Sequence, residues 1–251
     1  MILSIVLSFV SSVSNAFELP LEYKFSTALR GNDVDSVRSF LHSNKELIKT
    51  QKLPSGNNGL PHLVSVSGSR GVKIELVKLL IENGADVNEQ FIADQDSGYF
   101  KAGQVISTPL SAAIGGMHSH YIHPKIKTAE AYFKKQIKLY KLQGQHEMIK
   151  LMNGDQIKAT RKQRLGIIAY LISQGADVNA ETSRGPLLYT TLLLPTDMPN
   201  VIELLIKSGA NQKAIVTKTK KNILESLIEK SREEDYEFVN KRITLLKKYL
   251  K

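Results

Sequence analysis

The chain has 251 residues, 34 Lys and Arg against 24 Asp and Glu, a formal charge of +10, and an apolar fraction of 42%. That composition belongs to a folded globular protein and excludes a disordered chain, while 16 scattered Gly exclude collagen. The absence of cysteine removes disulfides, thiolate metal sites, Fe–S clusters and a cysteine nucleophile, and the positive balance favours an acidic partner.

At the N-terminus, residues 2–10 hold seven apolar residues and two serines without a charge, and Ser14 and Ala16 put small residues at the spacing of a signal-peptidase site. The expectation is a signal peptide over 1–16, cut near Ala16, and a periplasmic or secreted mature chain starting at Phe17. Without cleavage the chain would be cytoplasmic, and residues 1–16 would be either a helix packed on the domain or a membrane tether. A spanning helix needs about 20 apolar residues, and this run breaks into Ser and Asn after Val13.

Next come residues 21–30 and 35–41, which read as a helix pair with Gly31-Asn32 between the arms; Leu21, Phe25, Ala28 and Leu29 recur at helical spacing. A second unit opens at Gly59-Leu60-Pro61-His62-Leu63 and closes with VKLLIENGADVN over 77–88. Two related segments follow, IAYLISQGADVN over 168–179 and IELLIKSGANQK over 202–213. In each, an apolar helical end runs into Gly-Ala-Asp/Asn. Gly84, Gly175 and Gly209 suit the left-handed residue that closes a helix, and Asp86, Asn88, Asp177 and Asn179 suit the turn beyond it. The glycines are 91 and 34 residues apart, so one unit carries a large insertion. Within that unit lies Thr108-Pro109-Leu110-Ser111-Ala112-Ala113. Thr108 can cap a helix, Pro109 fits the first helical position, and Ala112 and Ala113 allow neighbouring helices to approach closely.

A TPLxAA element followed by LISQGADVN resembles the ankyrin repeat, whose period is about 33 residues. The resemblance covers most of 21–251, and implies an all-α solenoid of about five helix-turn-helix units that binds proteins through hairpin tips and the concave face of its inner helices. Over 17–251 it forms one domain. In the last unit, Tyr236, Val239, Ile243, Leu246 and Leu250 make one stripe, with acids at the start and Lys247, Lys248 and Lys251 at the end, as the helix dipole favours.

Against the family pattern the third unit has two insertions, at about 89–106 and 117–163. The first extends a hairpin finger and carries Phe91, Tyr99 and Phe100, which are candidates either for apolar anchors or for contacts folded back on the neighbouring finger. Asp94-Gln95-Asp96-Ser97-Gly98 is similar to an acidic calcium loop, but Gly98 and Val105 stand where ligands belong. The second insertion concentrates charge: residues 117–164 hold eleven Lys or Arg and three acids, net +8. Residues 127–142 read as a helix with Phe133, Ile137 and Tyr140 on one stripe and Lys134, Lys138 and Lys141 on an adjacent one, a solvated face or an electrostatic patch. His118, His120 and His123 precede it and are candidate metal ligands, although no acidic base is fixed beside them by spacing.

No nucleophile elbow, P-loop, dinucleotide fingerprint or His-Glu-x-x-His occurs, and no helix-turn-helix or zinc-finger spacing points to nucleic acid. The expectation is a non-enzymatic, cofactor-free protein that binds another protein with an acidic surface. An anionic lipid or polyanion bound by the basic insertion is the second reading, and a metal site at the three histidines the third.

Overall fold

The computed structural model describes residues 19–49, 61–69, 71–93, 96, 101–116, 154–194, 198–233 and 237–250. The signal-like segment 1–16 lies outside the described residues, and so do Tyr99, Phe100, Lys134, Lys138, Lys141, His118, His120 and His123. Among the described residues the chain is mostly helical, with ten α-helices and six short strands.

The helices come as five contacting pairs: α1 Leu21–Arg30 with α2 Val34–Ser43, α3 His62–Gly68 with α4 Ile74–Glu82, α5 Pro109–Gly116 with α6 Gly154–Ser173, α7 Leu187–Leu192 with α8 Pro199–Lys207, and α9 Ile223–Glu233 with α10 Glu237–Tyr249. A 3-10 turn, Lys45–Lys49, follows α2 and buries Leu47 and Ile48. The first helices α1, α3, α5 and α7 pack successively on one another, and the second helices α2, α4, α6 and α8 do the same. One continuous core therefore runs from Phe25 in the first pair to Leu246 in the last. The ring of Phe25 joins the first two pairs, meeting Phe40 and His62 edge-on at centroid distances of 6.3 and 5.2 Å.

Local sequence explains where helices begin and end. Pro20 precedes α1 with φ −49°, and its carbonyl accepts from Tyr23 N and Lys24 N. Asp33 caps α2, accepting from Ser36 N at 3.1 Å and Ser36 Oγ at 2.7 Å, which holds its carboxyl below the usual range. The second helices of three pairs share one ending. Gly84, Gly175 and Gly209 take φ of 97°, 89° and 93°, and the next N–H in each case, of Ala85, Ala176 or Ala210, reaches back to Leu80 O, Leu171 O or Leu205 O at 3.0 Å. That is the 6→1 bond of a left-handed helix cap, which only glycine makes without strain. Asp86 and Asp177 then accept from Asn88 N and Asn179 N, both at 2.8 Å, and Asn211 accepts from Lys213 N at 2.9 Å in the same place.

Asparagine side chains link successive pairs. The Asn88 amide donates to Gly175 O at 3.0 Å and accepts from Asp177 N at 2.7 Å. Asn179 repeats this on Gly209 O and Asn211 N, at 3.3 and 2.6 Å, and Asn32 does it on Gly71 O and Lys73 N, at 2.8 and 3.0 Å. Asn32 itself sits at φ 58°, a left-handed position that Asn tolerates.

Two findings revise the reading of the second insertion. Helix α6 is continuous from Gly154, so residues 154–163 extend the second helix of the third pair. Arg164, counted above with the basic cluster, is 2% exposed, and its guanidinium donates to Ser67 O, Gly68 O, Ser69 O and Ala113 O. It closes the C-terminal ends of α3 and α5 and offers no charge to a partner.

Truncating Asn88 to Ala removes both bonds from one pair to the next while leaving the helices intact. The variant is expected to lose about 1–3 kcal/mol of stability in urea unfolding. A loss within error of zero would show that packing alone fixes the register.

Candidate functional site

Three antiparallel hairpins project between the helix pairs. β1 Phe91–Ile92 pairs with β2 Val105–Ser107, β3 Glu181–Thr182 with β4 Gly185–Pro186, and β5 Ile215–Val216 with β6 Lys221–Asn222. Each leads directly into a first helix, α5, α7 or α9. The hairpins stand beside one another, β2 against β3 and β4 against β5. Ser183 N donates to Val105 O at 2.8 Å, joining the first two, and the Thr217 hydroxyl donates to Glu181, joining the second and third.

The first hairpin is the longest. Its ladder continues beyond the strands through Ala93 N to Gln104 O and Gly103 N to Ala93 O, both at 2.9 Å, with Gly103 at φ 80°. Asp96, from the calcium-like stretch, accepts from Ala102 N at 2.8 Å, so its carboxylate serves the loop's own backbone. Among the described residues no group of His, Asp and Glu is arranged to hold a metal ion.

Between the hairpins and the first helices lies an open groove of about 300 Å³. It is walled by Ile106, Ser111, Ala112 and Gly115 from the third pair and by Arg184, Leu187 and Thr190 among others from the fourth. The sequence makes this groove in two ways. On one side Gly68 lacks a side chain where Ala112 approaches, at 3.5 Å from the position a Cβ would take, so α3 and α5 pack closely. On the other, α5 and α7 touch more sparingly, and small residues at 111, 112 and 115 leave the space between them open. Helix α5 is held by a reciprocal cap: Ser111 N donates to Thr108 Oγ1 at 3.2 Å, Thr108 N donates to Ser111 Oγ at 2.8 Å, and Pro109 takes the first helical position.

The hydroxyls in the lining are already satisfied. Thr190 and Thr191 donate to Leu187 O at 2.9 and 2.7 Å, Thr182 to Gly185 O at 3.3 Å, and Ser107 and Ser111 share a bond at 3.0 Å. What faces the groove is therefore apolar, with one cation, Arg184, exposed at the tip of the second hairpin. At about 300 Å³ it is at the bottom of the range for small-molecule sites, and suits one or two side chains.

Of the sequence-derived candidates, Phe91 lies half-buried at the base of the first hairpin, paired with Ser107 of the groove lining. Ile92 beside it is 42% exposed, as is Ile215 on the third hairpin at 57%. Thr108, Pro109 and the Gly, Asp and Asn of the turns hold the scaffold. Sequence reasoning missed Arg184, Leu187, Thr190 and the third hairpin's Lys218 and Lys220. Aligning the second and third turns by their glycines would have placed Arg184 on a hairpin tip.

Glu89 opens the first hairpin and reaches back to cap α3, accepting from Val64 N at 3.1 Å. Burial dominates those favourable N–H bonds and pushes its carboxyl up to about 7, with the Asp86 carboxylate adding to the rise. The folded state thus holds this proton more tightly than the unfolded one. Its contribution to stability is complete below pH ~4.5 and lost as pH rises through about 7. Glu89→Gln keeps an acceptor for Val64 N without the ionisation. Its urea midpoint is expected to decline less than wild type between pH 5 and 8, and parallel curves would refute the assignment. Compared with known proteins, the chain matches no family model, and no curated protein matches it.

Proposed function

We propose that the chain is an exported ankyrin-repeat protein without catalytic activity, binding another protein through the groove between its third and fourth helix pairs, with the basic insertion adding to partner specificity. The observation that carries the reading is one hydrogen-bond pattern recurring at successive turns: a left-handed Gly, an Asp or Asn closing the loop, and an Asn amide bonded to the next turn. Such coupling along the first four units supports a quasi-one-dimensional stack, and stacks of this kind offer a long concave surface to macromolecules. Among the described residues, five helix pairs with hairpins before the last three, together with the TPLSAA helix start, support the ankyrin pattern in particular. Export rests on the apolar run at 2–10 followed by the small residues Ser14 and Ala16.

The groove is testable because Gly115 lines it and a Cβ placed there meets nothing within 4 Å. Gly115→Leu fills the groove and favours the helix. Short randomised peptides displayed on phage and selected on the full chain are expected to bind wild type and to lose at least about tenfold in affinity for the variant, with amide-exchange protection over 105–116 and 182–194. Binders indifferent to Gly115→Leu and protecting other segments would move the site elsewhere.

A further inference from the structure

The groove's chemistry is narrower than its position requires. Its hydroxyls are bonded internally, its floor is built from Ile106, Ala112 and Leu187, and among the described residues the Arg184 guanidinium makes no hydrogen bond or ion pair. The hairpin beside it continues the same sign. Lys218 and Lys220 are exposed at its tip with no ion pair among the described residues, whereas Lys221 is paired with Glu229 at 2.8 Å. Glu181, the carboxylate on the same hairpin as Arg184, accepts from the Thr217 hydroxyl.

Lys220 adds a separate indication. Its φ is 58°, the left-handed region, where a lysine carries a steric penalty that Gly avoids and Asn lessens. The turn is held there by Lys220 N to Val216 O at 2.8 Å and by a 2.6 Å bond between the Thr219 and Ser226 hydroxyls. A strained conformation retained at an exposed tip, with a cation as the residue, points to use of that cation.

We infer that the groove receives an extended acidic segment of a partner protein, one aliphatic side chain lying between α5 and α7 and an aspartate or glutamate carboxylate on Arg184, with further acids running toward Lys218 and Lys220. This rests on the groove being the binding surface. The planar guanidinium suits a carboxylate in two-point contact, the lysines act as less directional charges, and the apolar slot supplies the anchor beside them.

The same phage selection on the full chain tests the assignment through the sequences it returns. Wild type is expected to enrich peptides with Asp or Glu close to Leu, Ile or Val. Arg184→Glu should weaken those peptides at least about tenfold and, selected afresh, return Lys or Arg in place of the acid. Lys220→Gly, which relieves the backbone, should melt no lower than wild type yet bind the same peptides several-fold more weakly. Peptides without acids, or acidic peptides that bind Arg184→Glu equally while Gly115→Leu still excludes them, overturn the carboxylate assignment and leave the groove standing. Indifference to both variants, or a selection returning no binder, overturns both. Matching thermal melts establish that lost binding is not lost folding.

Discussion

The side-chain amide of Asn88 connects two parts of the chain separated by 87 residues. A primary amide carries a donor and an acceptor on one planar group, which is what a turn presenting one carbonyl and one N–H requires. Aspartate would supply only the acceptor and would set a charge against Gly175 O. The two bonds fix the height and rotation of the third-pair turn relative to the second, and everything between them is free to vary in length. Loop-closure entropy rises only about 0.6 kcal/mol per doubling of a flexible loop. A long excursion between Gly116 and Gly154 is therefore tolerable once the turns on either side are clamped. Asn32 and Asn179 repeat the clamp, and Lys213 stands at the equivalent position after Gly209, where the series stops.

Turn clamps set the register at one edge, and close packing sets it along the first helices. Gly68 against Ala112 brings α3 and α5 together, which leaves the C-terminal carbonyls of both helices near one point with little water. Arg164 fills that point. Its planar group distributes donors over Ser67 O, Gly68 O, Ser69 O and Ala113 O, where the helix dipoles already favour a cation. Arg242, 6% exposed, stands in a related relation to α7, donating to Leu192 O at 2.5 Å from the last helix of the chain. Both arginines come from second helices and reach the ends of first helices in the preceding pair, so they tie the two layers together across pairs. The sparser contact between α5 and α7 is the counterpart of this arrangement, and the groove is its result.

Backbone demands were the legible part of the sequence. Gly-Ala-Asp at 84–86 and 175–177 can satisfy helix-end carbonyls and the following turn from local residues alone, and Thr108 needs only the next turn of its own helix. Features that depend on distant partners were hidden. Arg164 reads as one more charge in a basic stretch until α3 and α5 converge on it, and nothing local distinguishes it from Lys162, which is exposed. Glu89 looks like an ordinary polar residue after a turn, since its burial depends on α3, 25 residues away. Arg184 follows the same logic. The hairpin carrying it has only two residues per strand, below the length at which alternation gives a signal, and the groove it borders exists only when two units stack. Phe91, chosen for its aromatic ring, contributes mainly to the base of the hairpin beside that groove.

Electrostatics separate the scaffold from the surface it offers. The excess of 34 basic over 24 acidic residues reads as one property of the chain, yet its members do different things. Arg164 and Arg242 are desolvated and hold carbonyls, so they contribute to stability through hydrogen bonding that salt screens weakly. Arg38, Lys49 and Lys207 sit within one helical turn of a carboxylate at 3.3, 3.1 and 3.9 Å, exposed pairs of little energetic weight. Arg184, Lys218 and Lys220 stand on neighbouring hairpin tips without such partners among the described residues. A field from exposed cations reaches about 8 Å at physiological salt, so it acts on encounter and orientation, while the adjacent apolar groove governs how long a partner stays. Placing cations on hairpins and apolar surface on helices lets the two contributions change independently, because a substitution at a tip disturbs neither the turn clamps nor the core.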